Sequence, residues 1–242
     1  IEALDEPLSY TSRDDPTVWS RRGDMLVGWG RVAELPAGAA AAAWWREVAA
    51  TAQVDDKVRM PGSGLVAFGT LPFDPQNSAA SAALVVPRMI IGRRGETSWV
   101  TQVFVEDETD RPEPRSIPFG PHWSATVGPG ACTPDGYQAE VRSGLNAIAS
   151  GEVAKVVLAR DLVGSVPAGS DLRRLVRALA SAYPDTWTFA VDGVIGASPE
   201  TLVTVANGTV TARVLAGTAA RGADADADTA ASLALATSAK DL

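Results

Sequence analysis

The chain has 242 residues, 46% apolar and 21% charged, which places it among ordinary globular proteins and excludes disordered and fibrous classes. Its net charge of -8 argues against a phosphate-backbone partner, because nucleic-acid binders need clustered lysine and arginine to release counterions. The single cysteine, Cys132, permits no intrachain disulfide and no cysteine-based zinc site, and an acidic surface obliges any anionic substrate to find local donors or a cation.

Residues 1–24 are charged and polar without a basic stretch leading into an apolar one, so no signal peptide is expected. No apolar run reaches spanning length, and the expectation is a cytoplasmic protein without a membrane partner. Residues 25–32, apolar and broken by Gly28 and Gly30, predict a strand at a bend. Pro36 then opens an Ala-rich helix over 37–50 that carries Trp44, Trp45 and Val48 at helical spacing.

Segments 64–69, 83–91 and 97–105 predict successive strands, most simply an antiparallel meander with a turn at Gly92-Arg93-Arg94-Gly95. Residues 106–121, rich in Asp, Glu and Pro, read as a linker between a β-rich region at 1–120 and a second region at 121–242. Thr133-Pro134-Asp135 starts a helix in which Tyr137, Val141, Leu145 and Ile148 recur until Gly151 stops it.

Residues 153–163 predict a strand, 171–183 an amphipathic helix, and 187–191 and 201–205 further strands. Asn207-Gly208 is a hairpin turn into 210–215, and a last helix begins near Asp228. Hairpins outnumber crossovers, which favours a mixed, mainly antiparallel sheet with helices packed on it.

Several motifs carry little. Gly62-Ser63-Gly64 imitates a dinucleotide fingerprint but precedes a strand and opens no helix. Asp224, Asp226 and Asp228 imitate a calcium loop, yet Thr229 and Leu235 stand where a glycine and a bidentate glutamate are needed; an acidic turn feeding a helix fits better. Cys132 and His122 lie ten residues apart without triad context. The Asn207 sequon and Arg22-Gly23-Asp24 both need an extracellular setting that nothing supports.

Three segments do suggest chemistry. Lys155 interrupts the apolar run Val153-Ala154-Lys155-Val156-Val157-Leu158, either as a solvent-facing edge lysine or as an amine with a partner or a task. Glu200 ends Gly196-Ala197-Ser198-Pro199-Glu200, a tight segment where a carboxylate is either held by a fixed backbone or simply on a surface turn. Gly217 in Leu215-Ala216-Gly217-Thr218 lets backbone amides and the Thr218 hydroxyl approach an anionic group, unless the segment is a plain strand-end turn.

Together with Arg160, Phe189, Arg221-Gly222 and Ser238-Ala239-Lys240-Asp241-Leu242, these segments resemble the signatures of the chorismate-using enzymes. That family includes isochorismate, salicylate and anthranilate synthases. The similarity is dense from about Tyr137 onward, while Leu26-Val27-Gly28-Trp29-Gly30 and the Trp44-Trp45 helix resemble the N-terminal part of isochorismate synthases. The resemblance implies an α/β (α+β) fold of large, mostly antiparallel sheets flanked by helices, intertwined into one domain.

It further implies chorismate as substrate, with Lys155 and Glu200 catalytic and Ala216, Gly217 and Thr218 binding substrate. Members that add water carry lysine at the Lys155 position, whereas ammonia-using anthranilate synthases typically have glutamine. Ala216 departs from aminodeoxychorismate synthases, which have a lysine there. Neutral Lys155 would activate water for attack at C2 while protonated Glu200 releases the C4 hydroxyl, and burial favours both charge states.

The resemblance also implies Mg2+ held by glutamates, the first beyond Lys240-Asp241 and so past Leu242, which would leave these 242 residues inactive alone. Rival readings are a salicylate synthase, which goes on to eliminate pyruvate, and a non-catalytic chorismate-binding or assembly subunit. The product would feed menaquinone or siderophore synthesis, and the expected state is a monomer.

Overall fold

Alternating burial along two strands and the turn between them sets the centre of the fold. In β1 (Thr17–Arg21) Val18 and Ser20 point inward while Trp19 points out, and in β2 (Asp24–Trp29) Met25 and Val27 are buried. Strand β1 lies in the polar opening that the sequence reading leaves without structure. The computed structural model describes residues 6–108, 113, 115–212 and 220–237. By its own contacts the chain divides into two units, Ile1–Ala197 and Ser198–Leu242.

The first unit contains β3 (Ala33–Glu34), α1 (Ala41–Thr51), β4 (Phe68–Thr70), β5 (Ala83–Val86), β6 (Met89–Arg94) and β7 (Thr97–Gln102). It continues with β8 (Thr126–Pro129), α2 (Pro134–Ala149), β9 (Leu162–Ser165), α3 (Arg173–Ala182), β10 (Trp187–Val191) and β11 (Val194–Ser198). A six-stranded sheet runs β11-β10-β1-β2-β6-β7, a three-stranded sheet β3-β5-β4, and β8 pairs with β9. Every described register is antiparallel, as in Val18 opposite both Val27 and Ala190. The position between 120 and 121 runs through this unit, whose main sheet takes β1 from one side and β10 from the other.

The simple meander does not form. Pro87 lacks the N–H that a continuous ladder would need, and on either side of it the predicted strand 83–91 becomes β5 and β6 in different sheets. Only Phe68–Thr70 of the 64–69 segment is a strand, pairing with β5.

One face of the main sheet packs Val18, Met25, Val27 and Ala190 against Leu8 of the 3-10 helix Pro7–Tyr10 and Val176 of α3. The opposite face sets Ile90 and Val191 against Phe68, flanked by Leu26 and Val66. Gly92 stands across from Trp99, whose 3% exposed indole lies over the glycine Cα and donates to the Gly62 carbonyl at 3.3 Å. A Cβ at Gly92 would collide with that ring. Gly92→Ala is therefore expected to destabilise the protein by about 1–3 kcal/mol through overpacking, read as a lowered thermal midpoint.

Charged groups also enter this core. Asp171 and Arg173, exposed by 2% and 0%, form a two-pronged ion pair with Nε to Oδ1 at 2.8 Å and Nη2 to Oδ2 at 2.7 Å. Remaining Arg173 donors reach the carbonyls of Ile117 and Pro118 at 3.1 Å, and the Gly120 N–H donates to Asp171 at 2.8 Å. The pair thus ties α3 to segment 117–120, read from sequence as linker. Burial pushes the Asp171 carboxyl up, but Arg173 and the Gly120 amide outweigh it and hold the group at about 2.

In the second unit, β12 (Thr204–Ala206) and β13 (Thr209–Thr211) form the expected hairpin, with Asn207 and Gly208 both at positive φ. Helix α4 (Ala225–Ala236) starts at Asp224, whose carboxylate accepts from the Ala227 N–H at 2.8 Å, so the acidic run caps a helix.

Candidate active site

Helix α2 forms where its caps predict: the Thr133 hydroxyl accepts from the Gly136 N–H at 3.1 Å, and Gly151 ends the helix at φ 79°. The chain then turns into the segment bearing Lys155. That segment is not a strand; only Leu162–Ser165 joins a ladder, with β8. The strand predicted over 153–163 is thus reduced to its end, because among the described residues no neighbouring strand supplies partners for the rest.

Its alternation is nonetheless preserved. Val156 and Leu158 face Gly144 of α2, and the Arg160 guanidinium lies 5.7 Å from the Tyr137 ring centroid. Lys155 and Val157 occupy the alternate positions, and Val157 is 86% exposed. Asp161 anchors the far end by accepting from the Ala131 N–H at 3.0 Å. Lys155 is exposed, so the desolvation expected of it is not supplied by the described residues.

Glu200 lies in the second unit, also exposed, just past β11. Its N–H donates to the Ser198 hydroxyl at 3.2 Å, a local turn that orients the backbone ahead of the carboxylate. The segment before it, read as a tight connection, is partly the strand β11. Ala216, Gly217 and Thr218 lie outside the described residues, as do Lys240 and Asp241.

Among the described residues no three His, Cys, Asp or Glu side chains gather as a metal site. The glutamates expected to hold Mg2+ fall past Leu242, outside the described residues. Cys132 and His122 go to separate partners: the thiol to the Thr133 carbonyl at 3.5 Å, the imidazole to Arg174 at 2.9 Å. No helix among the described residues is long and apolar enough to cross a membrane. Two cavities of about 350 Å3 flank the turn between β1 and β2, and neither Lys155 nor Glu200 lines them.

The chain is 31% identical over 192 residues to a Mycobacterium tuberculosis protein named as a candidate isochorismate synthase MenF, covering 74% of this chain and 46% of that one. Isochorismate synthase DhbC of Bacillus subtilis is 35% identical over 120 residues, covering 45% and 30%. Anthranilate synthase component 1 of Halobacterium salinarum is 38% identical over 100 residues, covering 39% and 18%. The chain thus spans about half the length, or less, of the curated relatives it matches.

The solved structure of the menaquinone-specific isochorismate synthase MenF from Escherichia coli superposes with a TM-score of 0.60 at 20% identity, covering 99% of this chain and 57% of that one. The antiparallel sheets and four α-helices among the described residues therefore have the isochorismate synthase fold, as the resemblance implies. A model of the chorismate binding enzymes matches residues 8–242, from the 3-10 helix through the segments of Lys155 and Glu200. The chain belongs to the chorismate binding enzyme family.

Proposed function

We propose that the complete protein converts chorismate to isochorismate by adding water at C2 and releasing the C4 hydroxyl. Lys155 carries this reading, as the cation inside an otherwise apolar run of a chorismate binding enzyme. Neutral Lys155 takes a proton from water as its oxygen bonds to C2, the ring double bonds shift, and the C4–O bond breaks. Protonated Glu200 supplies the proton with which the C4 oxygen departs as water, so the product is an isomer of the substrate.

Both charge states require a dry site. Exposed apolar residues near each group, Val157 at 86% and Leu202 at 82%, support a reading in which both segments are covered in the working enzyme. Mg2+, in this reading, would hold the ring carboxylate through ligands other than the described residues. The protein is proposed to act in the cytoplasm as a monomer.

Chromatography with mass spectrometry of the complete protein after incubation with chorismate and Mg2+ tests the reaction. Isochorismate without pyruvate is the expected product. Salicylate with pyruvate would move the protein to the salicylate synthases, an ammonium-dependent aminated product would overturn the role of Lys155, and unchanged chorismate would leave a binding subunit.

A further inference from the structure

Two turns carry the same pattern, Arg21-Arg22-Gly23-Asp24 between β1 and β2 and Arg93-Arg94-Gly95-Glu96 between β6 and β7. Because β2 pairs with β6 so that Met25 stands opposite Arg93, both turns sit at one end of the main sheet. An otherwise acidic chain thereby gathers four guanidinium groups at one pole.

On the α3 side this pole borders a cavity of about 350 Å3. Its lining includes Arg21, Arg22, Arg93 and Arg177 against one carboxylate, Glu6. Arg22 is paired with Asp185 at 2.7 Å, and Glu6 lies 2.8 Å from Arg177 Nη2. Arg21 and Arg93 are left with backbone partners, Nε of each donating to the carbonyls of Asp185 and Gly23. Neither has a carboxylate within ion-pair distance among the described residues.

Two residues of the lining also carry buried donors without hydrogen-bond partners. Thr188 is 1% exposed and its hydroxyl has no hydrogen-bond partner among the described residues. Arg177 Nε is likewise buried and unpartnered, although its guanidinium stacks 3.7 Å from the Phe119 centroid. Buried donors of this kind are ordinarily satisfied, so two of them beside unpaired guanidiniums are the complement of a small anion.

We propose that this cavity binds a small oxyanion, a phosphate or carboxylate group, through Arg93, Arg177 and Thr188. Guanidinium forks match the paired oxygens of either group, and the Thr188 hydroxyl would add a neutral donor. Neither Lys155 nor Glu200 lines this cavity, so binding here can be tested independently of the reaction assigned to them.

Calorimetric titration of the complete protein with inorganic phosphate, and separately with succinate, at constant ionic strength tests this. The expected result is saturable binding of at least one, weakened tenfold or more in both Arg93→Gln and Arg177→Gln. Thr188→Val, which preserves shape, should weaken it severalfold with an unchanged thermal midpoint. Tighter phosphate binding would identify a phosphate site and tighter succinate binding a carboxylate site. Absence of saturable binding, or binding unchanged in all three variants, would overturn the proposal.

Discussion

Replacing Lys155 by alanine is expected to lower kcat for isochorismate formation by the complete protein roughly 10²- to 10⁴-fold, the usual contribution of a positioned general base. Chorismate affinity should change little, because the lysine acts on water rather than on the substrate's carboxylates. Steady-state kinetics with a separate binding titration reads the two effects apart. Folding should survive, since Lys155 is exposed and its apolar neighbours Val156 and Leu158, not the lysine, contact α2. A comparable loss of affinity would instead make Lys155 a substrate-binding cation, and unchanged turnover would remove it from the chemistry.

The second large effect falls on stability. Asp171→Ala is expected to cost roughly 3–5 kcal/mol, because it leaves the fully buried Arg173 charge without its carboxylate. Urea denaturation of the variant should show the loss as a lowered midpoint with little change in slope. The sign of the pH effect follows from the direction of the shift. The folded Asp171 carboxyl sits at about 2 against its ordinary 3.8, so its contribution is complete above pH ~4 and is lost as pH falls towards ~2. The variant should lose less stability than the parent across that interval. An identical acid profile would mean that other carboxylates govern acid unfolding.

Local signals were legible where a single short segment decides the outcome. Thr133, Pro134 and Gly151 bound α2 as their chemistry requires, and Asn207-Gly208 makes its turn. Outcomes that depend on distant partners were not. Strand β1 looks like polar surface until Val18 and Ser20 meet Ala190 and Thr188 from the far end of the first unit. The stretch around Lys155 looks like a strand, yet it has no ladder partner among the described residues.

Arg173 was hidden for a related reason. In sequence it belongs to the polar side of an amphipathic helix, and only the carbonyls of Ile117 and Pro118 explain how its charge is accommodated at 0% exposure. The repeated Arg-Arg-Gly-acid turns were visible as text, but their shared position required the register of β2 with β6. Lys155 and Glu200 are singled out by family likeness alone; their exposure was not legible in it, because a residue's burial depends on everything packed around it.

The source of the new hydroxyl decides whether Lys155 activates water. Isochorismate formed by the complete protein in water enriched in heavy oxygen should carry the label on its C2 hydroxyl, as mass spectrometry of the product would show. Unlabelled isochorismate would mean that the C4 hydroxyl itself is transferred, contradicting the base role of Lys155 and the water addition built upon it.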